Sequence, residues 1–135
     1  MKTIIAALLV LLAGCKSAPS KSYFLYADNN LVMCIEWARV GDRIEGNWMI
    51  DGLADGKVKT RQAPFTAEKE GETFRLRGKD SAPLPDSSTR FVTVTLKGDT
   101  LTLYGSLKFQ RATYAECFEA SRKLAERAIR AKATP

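Results

Sequence analysis

Short runs of alternating apolar and polar residues, separated by turn residues, fill the sequence from residue 23 to residue 111. The clearest run covers residues 43–51, and its apolar face holds Ile44, Gly46, Trp48 and Ile50. Successive side chains of a strand point to opposite faces, so this period of two indicates a strand with one buried face. The pattern predicts a mainly β fold, an antiparallel barrel or sandwich of about eight strands.

Gly, Pro, Asn and Asp residues divide the sequence into these strands. The predicted strands cover residues 23–27, 31–40, 43–51, 57–70, 73–78, 90–97, 100–104 and 107–111. We expect Pro64 to interrupt the fourth strand and to place it at an edge or a bulge, because proline has no N–H to donate to a neighbour. Residues 81–88 contain two prolines and no period, so they are predicted to form the longest loop.

A different pattern begins at Thr113 and continues to about Lys132. This segment is rich in alanine, and a stripe recurs at helical spacing: Tyr114, Phe118, Ser121, Ala125 and Ala128. The spacing predicts a C-terminal amphipathic α-helix with this stripe as its apolar face. Thr113 and Glu116 have the spacing of a capping box, and basic residues near the carboxyl end complement the helix dipole.

Residues 31–40 are apolar on both faces of the predicted strand, so both faces need cover. Cys34 lies on one face, and Cys117 lies in the first turn of the predicted helix. We therefore expect the helix to cover the Cys34 face and a Cys34–Cys117 disulfide to hold it there. The alternative is two separately buried free thiols. A metal site is less favoured, because the sequence has no histidine and no close pair of thiols.

An apolar run at residues 4–12 follows Lys2, and Leu12-Ala13-Gly14-Cys15 closes it. The run is too short to span a bilayer as a mature helix. Its last four residues resemble the lipobox of bacterial lipoproteins. This resemblance implies a signal peptide over residues 1–14, cleavage before Cys15 and acylation of the Cys15 thiol. The alternative is an ordinary secretory signal in which the cysteine is accidental.

The same resemblance divides the chain and places it in the cell envelope. Residues 15–22 are polar and contain proline, so they are expected to form a lipid-anchored tether, and residues 23–135 form a single β domain with its helix. The anchor implies attachment to the outer face of the cytoplasmic membrane or to the outer membrane. Lys16 follows the cysteine where aspartate is associated with inner-membrane retention, so a Gram-negative host would favour the outer membrane.

The sequence offers little catalytic chemistry. It has no histidine, which removes the commonest general base and the commonest metal ligand, and it has no Gly-x-Ser-x-Gly elbow, Walker loop or dinucleotide fingerprint. Asp51 and Asp55 flank a glycine-rich turn, where stabilising the turn is favoured over holding calcium or pairing as catalytic carboxylates. Glu36, between Ile35 and Trp37 on an apolar strand, is the one carboxylate that could be buried, although such a residue more often lies at the sheet margin and pairs with Arg or Lys. We expect a non-catalytic protein without a metal or a cofactor.

Gly46-Asn47-Trp48 matches the Gly-x-Trp motif of lipocalins, in which the tryptophan plugs one end of an eight-stranded barrel. In lipocalins the motif lies on the first strand, whereas two predicted strands precede it here. A core tryptophan opposite Trp37 is therefore the favoured interpretation. Little room for a ligand remains if the interior is filled by Trp37, Trp48, Phe65, Phe74 and Phe109.

Residues 23–48 and 109–124 are also similar to a type of small secreted or lipid-anchored protein of actinobacteria. The features in common are Trp37, Gly41, Gly46, Phe109 and Tyr114. This resemblance supports the predicted fold and implies no particular activity.

Positive charge is the remaining functional signal, since 21 Lys and Arg residues exceed 15 Asp and Glu residues. Two groups of cations alternate onto one face of neighbouring predicted strands: Lys57, Lys59 and Arg61, and then Arg75, Arg77 and Lys79. If these strands pair, the six cations form a basic face for an anionic envelope component or an acidic protein. The alternative is a solvated face whose charges discourage edge pairing. Nucleic acid is not an expected partner, because no aromatic residues interleave the cations.

Three functional hypotheses follow from these observations. The first is a non-catalytic binding or interaction module for an anionic envelope component or a protein partner. The second is a small lipocalin-like carrier of an apolar ligand. The third is a phage- or plasmid-encoded surface-exclusion lipoprotein, and it rests on analogy between classes alone. All three share attachment to the membrane through acyl chains on Cys15.

Overall fold

The computed structural model describes residues 20–81, 84 and 91–133, which form a closed barrel of eight antiparallel strands with one α-helix on its outside. The strands are β1 Lys21–Ala27, β2 Leu31–Val40, β3 Arg43–Ala54, β4 Lys57–Glu70, β5 Thr73–Gly78, β6 Phe91–Lys97, β7 Thr100–Leu103 and β8 Leu107–Ala112. The helix α1 spans Tyr114–Ala133. The predicted mainly β fold with a C-terminal helix is confirmed, in its barrel form.

Several expectations fall outside the described residues. They include the signal peptide over residues 1–14, most of the tether at residues 15–22, and most of the predicted loop at residues 81–88. Within that loop Leu84 is described, and its side chain is buried in the barrel core.

Each strand pairs with the next strand in the sequence, and β1 pairs with β8 to close the barrel. The turns after β2, β4 and β6 therefore lie at one end of the barrel, together with the start of β1. We call this the tether end, because β1, which follows the predicted tether, begins there. The turns after β1, β3, β5 and β7 form the opposite end, which we call the hairpin end because the long β3–β4 hairpin extends from it.

Aromatic rings fill the interior of the barrel. The five rings suggested by the sequence are all buried: Trp37, Trp48, Phe65, Phe74 and Phe109. The ring centroid of Trp37 lies 6.0 Å from that of Phe65 and 5.1 Å from that of Phe74, and Trp48 lies 6.4 Å from Phe109. An eight-stranded barrel is just wide enough for side chains to fill, and here aromatic side chains fill it.

Gly46 makes room for this packing. It pairs with Trp37 on β2 and with Phe65 on β4, so it lies between two large residues on the inner face. A methyl group at Gly46 would lie 2.0 Å from the carbonyl oxygen of Glu36 and 2.5 Å from Cζ of Phe65. Both distances are far shorter than a van der Waals contact, so this position requires glycine.

Pro64 does not interrupt β4, so the expected interruption was wrong, whereas the expected position at an edge agrees with the strand pairing. The strand continues through Pro64, which lies opposite Asn47 of β3. Pairing between β4 and β5 begins only at Phe65, opposite Gly78. Pro64 thus lies where, among the described residues, β4 has a strand on one side only. The missing N–H removes no bond from the β4–β5 ladder, which is why a long strand tolerates proline there.

Two features fix the position of α1 on the outside of β2. Cys34, on the outer face of β2, forms a disulfide with Cys117 across 83 residues, with the two Cα atoms 6.0 Å apart. At the start of the helix, Oγ1 of Thr113 accepts a hydrogen bond from the N–H of Glu116, and Oε2 of Glu116 accepts one from the N–H of Thr113. The predicted disulfide, helix position and capping box are therefore confirmed.

The predicted apolar stripe of α1 was partly wrong. Tyr114, Phe118 and Ala125 are exposed, whereas the buried residues of the helix are Cys117, Leu124 and Ala128. The disulfide turns Cys117 toward the sheet. At about 100° per residue, Tyr114 and Phe118 are then rotated to one flank of the helix.

We predict that Gly46→Ala destabilises the barrel, because the added methyl group overlaps backbone and ring atoms that cannot both move away. The expected loss is about 3 kcal/mol in the free energy of unfolding, or about 10 °C in the thermal midpoint. Gly52→Ala on the same strand is the matched control, since a Cβ at Gly52 meets nothing within 4 Å. Equal midpoints for the two variants would contradict the proposed role of Gly46.

We predict that replacing both disulfide cysteines, Cys34→Ala with Cys117→Ala, lowers the free energy of unfolding by about 4 kcal/mol, because the unfolded chain is no longer constrained. Urea denaturation measures this loss. Reductant should lower the midpoint of the native chain by a similar amount and leave that of the double variant unchanged. If reductant left the midpoint of the native chain unchanged, this result would contradict a stabilising disulfide.

Candidate functional site

Two grooves run along α1 where it meets the outside of the barrel. The larger has a volume of about 670 Å³ and lies between the helix and β1 with its following turn. The smaller has a volume of about 410 Å³ and lies between the helix and the outer faces of β2, β3 and β4. We call the smaller one the aromatic groove, because Tyr114 and Phe118 line it on the helix side.

The helix side of the aromatic groove is apolar and open to solvent. Tyr114 and Phe118 are 60% and 62% exposed, and they lie one turn apart on the same flank of α1. Tyr23 of β1 contacts Tyr114 edge to face, with ring centroids 5.7 Å apart. Met49, on the outer face of β3, also lines the groove, together with the disulfide. Exposed aromatic side chains beside a groove are typical of a protein-binding surface.

The strand side of the same groove is polar and held by cross-strand hydrogen bonds. Oγ1 of Thr60 donates to Oδ1 of Asp51 at 2.8 Å. Nδ2 of Asn47 donates to Oε1 of Gln62 at 3.1 Å. These bonds hold the outer faces of β3 and β4 in place beside the helix. The groove therefore presents apolar rings on one side and fixed hydrogen-bonding groups on the other.

Asp28 organises the hairpin-end part of the larger groove. Its carboxylate accepts hydrogen bonds from the N–H groups of Asn30 and Leu31, both at 2.8 Å, and from the hydroxyl of Tyr26 at 2.9 Å. These bonds, the backbone bond from Asn30 foremost, hold the pKa of Asp28 below its ordinary value. Arg127 of α1 donates to the carbonyl oxygens of residues 28 and 29, which ties the helix to this turn.

The six cations predicted to form one basic face are not brought together. Strands β4 and β5 do pair, but only over residues 65–70 of β4. Lys57, Lys59 and Arg61 lie beyond that segment, toward the hairpin end, and share a face with the buried Ala63. The other three cations of the set are Arg75 and Arg77, on the outer face of β5, and Lys79, in the turn that follows this strand.

The register of the β4–β5 hairpin explains this separation. It sets Arg75 opposite Glu68 and Arg77 opposite Thr66, rather than opposite any basic residue of β4. Arg75 forms an ion pair with Glu70 at 3.1 Å, and its guanidinium lies 4.3 Å from the centroid of the Phe91 ring. Arg75 is therefore committed to contacts within the barrel wall, and the continuous basic face expected from strand pairing does not form.

The carboxylates singled out in the sequence have structural contacts. Glu36 lies 3.9 Å from Nζ of Lys21 and accepts a hydrogen bond from Tyr23, which agrees with the expected pairing to a basic residue. Burial, followed by the nearby Glu36 carboxylate, raises the pKa of Tyr23. Asp51 bonds to Thr60, and Asp55 adopts a left-handed φ of 54° in the β3–β4 turn. Asp55 thus lies in the turn as expected, whereas Asp51 does not flank it, because β3 continues to Ala54 and Asp51 lies within the strand opposite Thr60.

The exposure of Tyr114 and Phe118 was not predicted from the sequence. Both residues were placed on the buried stripe of the helix, because large apolar side chains at helical spacing usually face the core. The signal that identifies them is Cys117. Once its disulfide faces the sheet, residues 114 and 118 must lie on the flank of α1.

Comparison of the chain with models of protein families, with curated proteins and with solved structures finds no match. Across residues 20–81, 84 and 91–133, no helix is long and apolar enough to cross a membrane. In the same ranges, no group of three or more His, Cys, Asp or Glu side chains is placed to hold a metal ion.

We predict that the stabilising effect of Asp28 depends on pH. Because its pKa is lowered in the folded chain, its contribution is present above the unfolded pKa of about 3.9 and is lost as pH falls through the folded value. Urea denaturation of the native chain and of Asp28→Ala should differ most near neutral pH and converge in acid. Asp28→Asn, which keeps an oxygen acceptor without charge, is the control. If the difference in the free energy of unfolding between the native chain and Asp28→Ala did not change with pH, this result would contradict the assignment.

Proposed function

We propose that this protein is a lipid-anchored lipoprotein of the bacterial cell envelope, attached to its membrane through acyl chains on Cys15. Its barrel and helix act as a non-catalytic module that binds a protein partner at the aromatic groove. The observation that carries this proposal is the distribution of apolar surface. The rings inside the barrel are buried in the core, whereas Tyr114 and Phe118 are exposed on the outside.

The filled interior favours this function over that of a lipocalin-like carrier. A carrier needs interior volume that can be emptied for its ligand, and ligand sites typically bury most of the ligand's surface. Here Trp48, Phe65 and Phe109 are at most 2% exposed. Phe65 packs against Trp37, and Trp48 packs against Phe109, inside the barrel. A ligand would have to displace this packed core.

The aromatic groove has the physical properties of a binding surface. Tyrosine and phenylalanine bury a large area with few rotatable bonds, so they lose little conformational entropy on binding. The disulfide and the capping box hold the helix side, and the Thr60–Asp51 bond holds the strand side. A surface that is already ordered retains more of its contact energy as affinity.

The separated cations support a protein partner better than an extended anionic polymer. A polymer with repeated phosphates needs a continuous row of basic residues, and the β4–β5 register breaks that row. Lys57 and Lys59 are exposed at the hairpin end, beyond the end of the aromatic groove that lies nearest to the β3–β4 turn. They are suited to steering an acidic partner toward the groove.

The experiment places a photo-cross-linking amino acid at position 118 of the full chain, exported in the bacterium that encodes it. We expect irradiation to give one covalent adduct of defined mass, and Tyr114→Ser to reduce its yield while changing the free energy of unfolding by less than about 0.5 kcal/mol. Position 123 is the matched control, because Lys123 is exposed on the same helix but lines the larger groove. No adduct at 118, or the same adduct at 123, would contradict binding at the groove.

The same preparation tests the anchor. Mass spectrometry of the purified chain should find residue 15 at the amino terminus, carrying a diacylglyceryl group on its sulfur. Cys15→Ser should abolish the added mass and release the domain from the membrane fraction, because two or more acyl chains are needed for stable attachment. An unmodified Cys15 in the native chain would contradict lipidation without bearing on the fold.

A further inference from the structure

Three cations meet at the mouth of the barrel at the tether end. Arg39 follows Trp37 by two residues on the inner face of β2, and Lys69 follows Ala67 by two residues on the inner face of β4. With Arg43, the first residue of β3, they line a pocket with a volume of about 200 Å³. Arg39 and Lys69 thus lie just beyond the last buried residues of their inner rows, Trp37 and Ala67.

The rest of the pocket is small and mostly uncharged. Ile44 and Phe74, the partners of Arg39 and Lys69 in the strand register, are buried and form its floor. Gly41 and Asp42 complete the rim. Three cations against one carboxylate leave the pocket with a net charge of +2. A compact anion would find positive charge on several sides and an apolar base beneath it.

The pocket cations have no ion-pair partner in the part of the chain that the structure describes, where no carboxylate lies within ion-pair distance of Arg39, Arg43 or Lys69. Arg111, at the same end of the barrel, differs. Its Nε lies 2.8 Å from Oδ1 of Asp99 and its guanidinium lies 5.0 Å from the centroid of the Phe24 ring. Arg111 therefore belongs to the barrel wall, whereas the pocket cations are available to a ligand.

We propose that this pocket binds a phosphate group, and that its source is the headgroup of an anionic phospholipid. Arginine and lysine together suit phosphate, since guanidinium forms paired hydrogen bonds and ammonium adds a compact charge. The choice of a lipid source rests on the anchoring proposed above. Cys15 is six residues before Lys21 in the sequence, so an extended tether would hold the tether end within about 20 Å of the lipid.

The lipid contact sets the orientation of the whole domain. With the tether end against the membrane, the hairpin end points away from it. Val40, at the turn beside the pocket, is 46% exposed and adds an apolar side chain on the membrane side. The aromatic groove then runs up the side of the barrel, where a partner in the envelope can reach it.

The test uses residues 16–135, which contain every described strand and the helix but not Cys15, so that binding cannot depend on acylation. Flotation with vesicles of equal parts phosphatidylcholine and phosphatidylglycerol measures the affinity. We expect Arg39→Gln with Lys69→Gln to weaken binding about 30-fold, at about 1 kcal/mol for each cation near the surface. Lys57→Gln with Lys59→Gln removes the same charge at the hairpin end, and we expect it to change binding less than about twofold.

Competition identifies the ligand chemistry. Inorganic phosphate should displace the native domain from vesicles more effectively than chloride at equal ionic strength, because chloride screens charge without forming paired hydrogen bonds. Equal losses for the two double variants would overturn the pocket in favour of general electrostatic attraction. Shifts of Arg39 and Lys69 resonances with inorganic phosphate, without vesicle binding, would overturn the lipid source. These results are independent of whether Cys15 is acylated or a protein occupies the groove.

Discussion

An eight-stranded barrel has to fill its own interior, and the large side chains that do so here determine the rest of the structure. Trp37, Phe65 and Phe74 meet near one end, and Trp48 packs on Phe109. This packing is possible because Gly46 has no side chain, so that the Phe65 ring can approach the backbone. Because side chains of the strands fill the interior, no space remains there for the helix, and α1 lies on the outer wall.

The position of that helix creates the candidate binding surface. One disulfide fixes both the height and the rotation of α1 against β2, and rotation decides which residues the helix exposes. Tyr114 and Phe118 are displaced from the buried side by this constraint and form one side of a groove. The same bond thus stabilises the fold and presents two aromatic rings to solvent. Lipid-facing cations at the tether end would complete the arrangement by orienting the groove relative to the membrane.

Much of this fold could be predicted from the sequence, because alternation identifies the buried face of a strand. Strands β2 and β4 have the predicted bounds, and the disulfide and capping box were expected. What alternation leaves open is register, since it does not identify the residue that lies opposite on the next strand. Three findings depend on register: Lys57 is separated from Arg75, Pro64 is tolerated in β4, and Arg39 and Lys69 line the same pocket. The rotation of α1 depends on a contact 83 residues away in the sequence.

We infer that the barrel is a filled scaffold whose binding surfaces lie outside it. Native mass spectrometry of the mature domain, purified from an oxidising compartment and compared with the denatured sample, would reveal any molecule held inside. We expect one bare mass in both samples, lighter than the reduced chain by the pair of hydrogens that the disulfide removes. An apolar molecule retained in the native sample, and lost only on denaturation, would contradict a filled interior and restore the carrier function.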